Sequence, residues 1–347
     1  MASIAELNKI LITTPEKATP EIAAQCMEYI MTGQASEAQI AAFLLSLRFN
    51  KFDLDSKYIA ACGKVMRSKA VNVDTGDFAD QIVDIVGTGG DGHDTFNVST
   101  TAGLIAAAAG CYVTKHGNVA ASSKSGSANI LEEAGVMIRN IKPEMVKGMI
   151  ERNNYCFLFA QTYHPAMRFV GPTRKQLVVS TVFNYLGPLN NPCHTKRMVV
   201  GVHSTYLGQI MAEALMYSGV ERGMVVCGDE GLDEISPERD THVWEIENNT
   251  ITKKIISPED FGVERYPLDS ESMKGGDAKE NAQILKELFN NERKDHLLDW
   301  VLMNASALCY VAGKGKDFKE CMKITREAVE SGKAKTVLEN LIKDTQA

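Results

Sequence analysis

One junction constrains this chain more than any other: the apolar run Ile82-Val-Asp-Ile-Val86 ends abruptly in Gly87-Thr-Gly-Gly-Asp-Gly92. A short β-branched run reads as a buried strand. A glycine-rich turn behind it lets the backbone bend sharply and bring its N–H groups against an anion. The small-residue stretch over 99–109 then predicts a helix, and Cys111-Tyr-Val-Thr114 a second strand. Together these make a βαβ unit, and so a parallel sheet. A second loop rich in glycine and serine runs from Lys115 through Ser122-Ser-Lys-Ser-Gly-Ser127 and leads into a helix over 127–134. Both loops deliver helix N-termini, each carrying about half a positive charge, to the same end of the sheet. The stretch from Asp84 to Gly135 therefore reads as a phosphate cradle.

The flanking sequence adds a helical unit and extends the sheet. Residues 3–69 carry no strand signal, and four helices announce their own starts. Ser3 with Glu6 and Ser36 with Gln39 form capping boxes; Thr19-Pro20-Glu21 supplies a cap, a proline and an acid in order; Asp55 or Ser56 opens the fourth. The apolar faces of these helices suit packing against a partner subunit. Helical signals return over 142–175, whereas two prolines and an asparagine pair make 184–192 irregular. Met198-Val-Val-Gly-Val202 and Met224-Val-Val-Cys227 predict two more buried strands around a helix over 206–217. Thr241-His-Val-Trp-Glu-Ile246, the pair Asn248-Asn249 and the residues from Ile251 onward predict a hairpin. Helices over 278–290, 295–312, 317–330 and 333–343 complete the chain and are expected to cover the sheet. The expected fold is α/β, a large domain with a mainly parallel sheet flanked by helices plus a smaller all-helical domain that is discontinuous in sequence. The small domain comprises residues 1–70 joined by roughly 165–190, and the large one residues 71–164 and 191–347.

Composition narrows the partners. A net charge of −7 opposes a nucleic-acid surface, which needs clustered Lys and Arg, so the phosphate belongs to a small molecule. No run approaches the roughly 20 apolar residues of a membrane span, and Met1-Ala-Ser-Ile-Ala-Glu-Leu7 lacks the basic and apolar regions of a secretory leader. A cytoplasmic location is expected. Eight cysteines without a close Cys-x-x-Cys pair read as free core thiols.

The glycine loop alone is unspecific, but what surrounds it is not. It lacks the Gly-Lys-Ser/Thr ending of a Walker loop and the distal acid of a dinucleotide fingerprint. Instead Lys115, with Ser122, Ser123 and Ser127, offers a cation and hydroxyl donors suited to pyrophosphate or a phosphate ester. Asp233 and Glu234 lie in a loop beyond a strand end. An Asp-Glu pair is ordinarily solvated surface charge, but beside a phosphate cradle it suits magnesium, held by one or two carboxylates plus substrate oxygens. The Ser99 hydroxyl would complete such a site from the opposite wall.

Gly87-Thr-Gly-Gly-Asp91, Asn97-Val-Ser-Thr100, Lys115-His-Gly-Asn118, Ser125-Gly-Ser-Ala128 and Leu232-Asp-Glu234 stand in the order found in the anthranilate phosphoribosyltransferases, and the chain resembles that family. His164-Pro-Ala-Met-Arg168, Thr181-Val-Phe-Asn-Tyr-Leu-Gly-Pro-Leu189 and Gly275-Gly-Asp-Ala-Lys-Glu-Asn-Ala282 extend the resemblance over nearly the whole chain. It implies a class III phosphoribosyltransferase fold and transfer of a phosphoribosyl group from phosphoribosyl pyrophosphate to the anthranilate amine, in tryptophan biosynthesis. By motif position it implies that Gly87, Gly90, Asp91, Thr95, Asn97, Val98, Ser99, Thr100, Lys115, His116, Gly117, Asn118, Val119, Ala120, Ala121, Ser122, Ser123 and Ser127 hold phosphoribosyl pyrophosphate. Ser99, Asp233 and Glu234 would bind Mg2+, two ions per active site. Gly87, Asn118 and Arg174 would meet anthranilate, with His116 and His164 close by, and a homodimer would form through the N-terminal helices.

Elementary chemistry agrees with Arg174, whose planar fork matches a carboxylate; solvation on a helix surface is its ordinary alternative, and His116 reads equally well as a packed neutral histidine. The chain departs from the family motif at two positions. Val119 stands where an arginine often follows Lys-His-Gly-Asn, and Asn129 where aspartate usually follows Ser-Gly-Ser-Ala. Two other readings remain at this stage. A pyrimidine nucleoside phosphorylase shares the fold and the lysine-bearing loop but needs no acidic metal pair, and a non-catalytic nucleic-acid-binding relative is opposed by the negative charge.

Overall fold

The computed structural model describes residues 2–120 and 124–346. It opens with four helices, α1 (Ile4–Thr13), α2 (Pro20–Met31), α3 (Glu37–Phe49) and α4 (Ser56–Ser68). Their starts are those expected. The Ser3 and Ser36 capping boxes both form, Thr19 accepts from the Ile22 N–H ahead of Pro20, and Asp55 accepts from the Lys57 N–H.

A seven-stranded sheet follows: β1 (Ile82–Gly87), β2 (Tyr112–Gly117), β3 (Tyr155–Phe159), β4 (Arg197–Gly201), β5 (Arg222–Gly228), β6 (Thr241–Glu247) and β7 (Thr250–Ile256). Their order is β3-β2-β1-β4-β5-β6-β7; the first five are parallel, and β6 and β7 add an antiparallel edge. Asn248 and Asn249 both take positive φ, 51° and 58°, the geometry of a two-residue hairpin turn. Helices α5 (Val98–Ala108), α6 (Ser127–Ala134) and α7 (Pro143–Asn153) connect the first three strands. Short helices α8 (Ala160–Tyr163), α9 (Gly171–Leu177) and α10 (Phe183–Leu186) carry the chain from β3 to β4. Helix α11 (Thr205–Tyr217) links β4 to β5, and α12 (Ala278–Phe289), α13 (His296–Ala312), α14 (Phe318–Glu330) and α15 (Lys333–Gln346) end the chain.

Three local expectations change. The run Tyr155-Cys-Phe-Leu-Phe159, expected within a helical stretch, is a fully buried edge strand. The second strand does not stop at Thr114 but continues through Gly117, so Lys115 and His116 are strand residues paired with Phe157 and Leu158 of β3. Residues 184–192 are not wholly irregular: α10 overlaps their start, and a 3-10 turn over Gly187–Asn190 places Pro188 near its beginning, where the missing N–H costs nothing.

Both sheet faces are covered, as a parallel sheet requires. Val199 and Met224 point into a core shared with α5, α6, α7, α13, α14 and α15. Their neighbours Met198, Val200 and Val225 point the other way, into a second core built with α1 to α4 and α11. Val170, Val182, Tyr185, Leu186 and Leu189 also join that second core. All eight cysteines are buried free thiols. Among the described residues no helix is long and apolar enough to cross a membrane.

Candidate active site

Strand order reverses between β1 and β4: the chain leaves β1 toward β2 on one side and later returns to add β4 on the other. Such a switch point opens a crevice at the strands' carboxyl ends. Gly87 and Gly201 end these two strands in register. A Cβ on Gly201 would overlap the Asp233 backbone, and one on Gly87 would overlap the Asp233 carboxylate. Two side-chain-free strand ends therefore let the acidic loop settle directly onto the sheet. There the Gly89 N–H donates to Asp233 Oδ2 at 2.8 Å.

A cavity of about 610 Å3 occupies this crevice. Gly87, Gly90, Asp91, Thr95, Asn97, Val98, Ser99, Thr100, Lys115, His116, Gly117, Asn118, Val119, Ala120, Ser127, His164, Arg174, Asp233 and Glu234 all line it. Ala121, Ser122 and Ser123 lie outside the described residues. Met66 from α4, Gln161 and Met167 near α8, and Phe183, Leu186 and Gly187 from the α10 segment also face the cavity without having been singled out from sequence. These mostly apolar residues give the cavity one greasy wall opposite its glycine-rich one.

Lys115 lies buried beneath the cavity floor, donating from Nζ to Ile85 O at 2.7 Å and reaching Ser99 Oγ at 3.5 Å. Burial lowers its pKa, against the field of Asp84, Glu234 and Asp233, which favours the ammonium. Asp84 was missed by sequence reasoning, although a lone acid inside Ile82-Val-Asp-Ile-Val86 is itself a signal. Fully buried, it accepts from Asn191 Nδ2 at 2.8 Å, and burial pushes its carboxyl up to about 6 against the pull of Lys115.

Asp91, Asp233 and Glu234 crowd together above this lysine. Burial raises Asp233 to about 7, helped by the neighbouring charge of Asp91, and burial with the charge of Asp233 raises Glu234 well above the carboxylate range. Glu234 also accepts from the Ser99 N–H. Crowded carboxylates beside a hydroxyl form an oxygen-only donor set that a hard divalent cation relieves. Among the described residues no three carboxylate, His or Cys side chains close a metal cage by themselves, so a cation here would complete its shell with water and substrate oxygens.

On the greasy side, burial lowers the Arg174 pKa, and among the described residues no carboxylate compensates it; its guanidinium sits over the Phe183 ring, 5.3 Å from the centroid. His116 and His164 stack at a tilt, ring centroids 5.0 Å apart. Burial lowers them to about 3 and about 4, so both are neutral near pH 7. His164 Nε2 lies 2.9 Å from Asn190 O, while His116 Nε2 and His164 Nδ1 are buried without a partner among the described residues.

Comparison with known proteins matches this geometry. A glycosyl transferase family helical bundle domain matches residues 6–70, and a glycosyl transferase family a/b domain matches residues 79–335. The anthranilate phosphoribosyltransferase of Schizosaccharomyces pombe is 41% identical over 314 residues, 90% of this chain and 88% of that protein. The chain belongs to the anthranilate phosphoribosyltransferase family. The crystal structure of the enzyme from Thermus thermophilus superposes with a TM-score of 0.90 at 40% identity, covering 98% of this chain and 99% of that one. That of Saccharomyces cerevisiae, in complex with PRPP and Mg, gives 0.91 at 30% identity over 99% and 98% of the two chains. The two departures from the family's motif have local explanations. Asn129 Oδ1 accepts from the Ala120 N–H at 2.9 Å and the Gly126 N–H at 3.1 Å, a task for an oxygen acceptor that needs no charge. Val119 packs its side chain against the large core.

Proposed function

We propose that this protein transfers the phosphoribosyl group of phosphoribosyl pyrophosphate to the amine of anthranilate, releasing pyrophosphate and forming N-(5-phosphoribosyl)anthranilate in tryptophan biosynthesis. The carrying observation is that Arg174, a desolvated cation with no anionic partner among the described residues, faces the same cavity as the glycine loops, Lys115 and the acidic pair. A phosphorylase acting on nucleosides has no carboxylate to satisfy such an arginine.

Backbone N–H groups of the two loops and the Ser99, Thr100 and Ser127 hydroxyls would hold the phosphates, with Lys115 setting positive potential from below. Asp233, Glu234 and Ser99 would hold magnesium, two ions per site, which when bound supplies countercharge to the departing pyrophosphate. Arg174 would fix the anthranilate carboxylate, and Gly87, Asn118, His116 and His164 would border the ring and amine. The amine already has a free lone pair, so no residue is assigned as general base. Positioning of both substrates across one cavity would supply much of the acceleration.

Residues 1–70 with roughly 165–190 would form the small domain, and 71–164 with 191–347 the large one, which is supported by the packing of 170–189 against the first four helices. A homodimer through those helices is supported by Ile12 and Phe49, which are 53% and 80% exposed. A cytoplasmic location is part of the same proposal. Mixing protein, anthranilate, phosphoribosyl pyrophosphate and magnesium should extinguish anthranilate fluorescence; no loss, together with thymidine cleavage by phosphate, would refute the assignment.

A further inference from the structure

We infer that Asn281, a residue outside the cavity, is a positioning residue that sets the spacing of the two phosphate loops. The inference rests on the reading of the cavity as a phosphoribosyl pyrophosphate site. Asn281 lies in the first turns of α12 and is 1% exposed. Its Oδ1 accepts from the Gly276 N–H at 2.7 Å, and its Nδ2 donates to Asn97 Oδ1 at 2.9 Å. Asn97 Nδ2 in turn donates to Ser125 O at 2.9 Å. Two side-chain amides in series thus join the segment before α12 to the first loop, and the first loop to the second.

The direction of this relay is fixed at both ends. Gly276 offers only a donor and Ser125 only a carbonyl at these contacts, so both amides have one correct orientation. The backbone supports the same junction. Gly275 N–H donates to Asp94 O at 3.2 Å, Thr95 and Lys274 form an isolated antiparallel bridge, and a Cβ on Gly275 would overlap the Thr95 carbonyl. Segment 274–281 therefore lies flush against the back of the first loop, with its only side-chain link to that loop running through Asn281 among the described residues. Losing the link would leave the Asn97 amide free to rotate and loosen its hold on the Ser125 carbonyl, so the two loops would no longer be held at one separation. Anthranilate, whose carboxylate Arg174 would hold on the other wall, would register the change less than the phosphates do, since only Gly87 and Asn118 border it from the loop side.

The test measures steady-state kinetics and direct calorimetric binding of magnesium phosphoribosyl pyrophosphate for the full chain and for Asn281→Ala and Asn281→Asp. The aspartate keeps the acceptor for Gly276 and removes the donor to Asn97 with almost no change of volume. Both variants should raise the KM and Kd for phosphoribosyl pyrophosphate about five- to tenfold, the loss of a buried hydrogen bond or two, while the KM for anthranilate stays within about twofold. A fall in melting temperature with unchanged phosphoribosyl pyrophosphate affinity in both variants overturns the inference, as does an equal rise in both KM values. If Asn281→Ala does not fold, Asn281→Asp decides. A parent protein that binds no magnesium phosphoribosyl pyrophosphate defeats the functional reading instead, and that result is separate from any variant's.

Discussion

Arg174 and the two cavity histidines show how single residues are set for their tasks by what is not beside them. Burial costs Arg174 its hydration, and among the described residues the Phe183 ring compensates in place of a carboxylate. A bound carboxylate would restore a charged hydrogen bond, about 1.5–3 kcal/mol. Arg174→Ala is therefore expected to raise the anthranilate KM by about 10- to 100-fold with the phosphoribosyl pyrophosphate KM nearly unchanged, in a two-substrate kinetic analysis; a parallel rise in both would assign Arg174 to fold rather than recognition. The histidines make a pH prediction. Folding depresses His164 from 6.5 to about 4 and His116 to about 3. Below pH 6.5 the unfolded chain takes up protons that the folded one refuses, so the stability these residues contribute is complete above 6.5 and is lost as pH falls toward 4 and 3. Asp84 works in the opposite sense, because its raised carboxyl, about 6, keeps a proton that the unfolded chain releases above 3.8. The isolated histidine effect is thus best read as a difference. Between pH 7 and 5, urea unfolding of His164→Asn should lose about 2 kcal/mol less stability than the parent; equal losses would show that His164 is charged in the fold.

At the scale of elements, the site depends on how closely an acidic loop approaches the sheet. Gly201 ends β4 where any side chain would overlap the Asp233 backbone. Gly201→Ala should cost about 1–3 kcal/mol of stability by overpacking and shift Asp233 and Glu234 enough to reduce turnover more than tenfold. A variant that unfolds less easily or keeps full turnover would refute this packing argument. Elements with local signals were legible in the sequence: capped helices, the Asn-Asn hairpin and the strand-glycine-helix units. The edge strand Tyr155–Phe159 was not, because five apolar residues between helical patterns fit a buried helix equally well, and only pairing with β2 distinguishes them. The extension of β2 through Lys115 and His116 was hidden for a related reason. Polar residues look like a strand's end until a distant acid, Asp84, and a buried cavity floor explain them. Motif positions on the glycine-rich wall could be read from local spacing. The apolar wall of Met66, Met167, Phe183 and Leu186 could not, since it is assembled from segments more than a hundred residues apart.

For the whole molecule, two cores share one sheet. Successive residues of β4, Met198, Val199 and Val200, alternate between them, so neither core can lose its packing without exposing strands that belong to the other. The four N-terminal helices are part of this arrangement, with Leu7, Phe43 and Ile59 in the same cluster as Val200, Val225 and Trp244. Arg67 Nη2 also donates to Ser218 O at 3.1 Å, and Ser56 Oγ to Glu213 Oε2 at 2.8 Å, pinning α4 to α11. A helical unit with an independent core would melt by itself; this one shares its apolar surface with the sheet. Scanning calorimetry of the intact chain should accordingly show a single cooperative transition, and a chain beginning at residue 71 should expose the sheet face carrying Val200 and Val225 and bind a hydrophobic dye at neutral pH. Two separated transitions, or a truncated chain that folds without binding dye, would mean that the helices dock on the sheet without stabilising it.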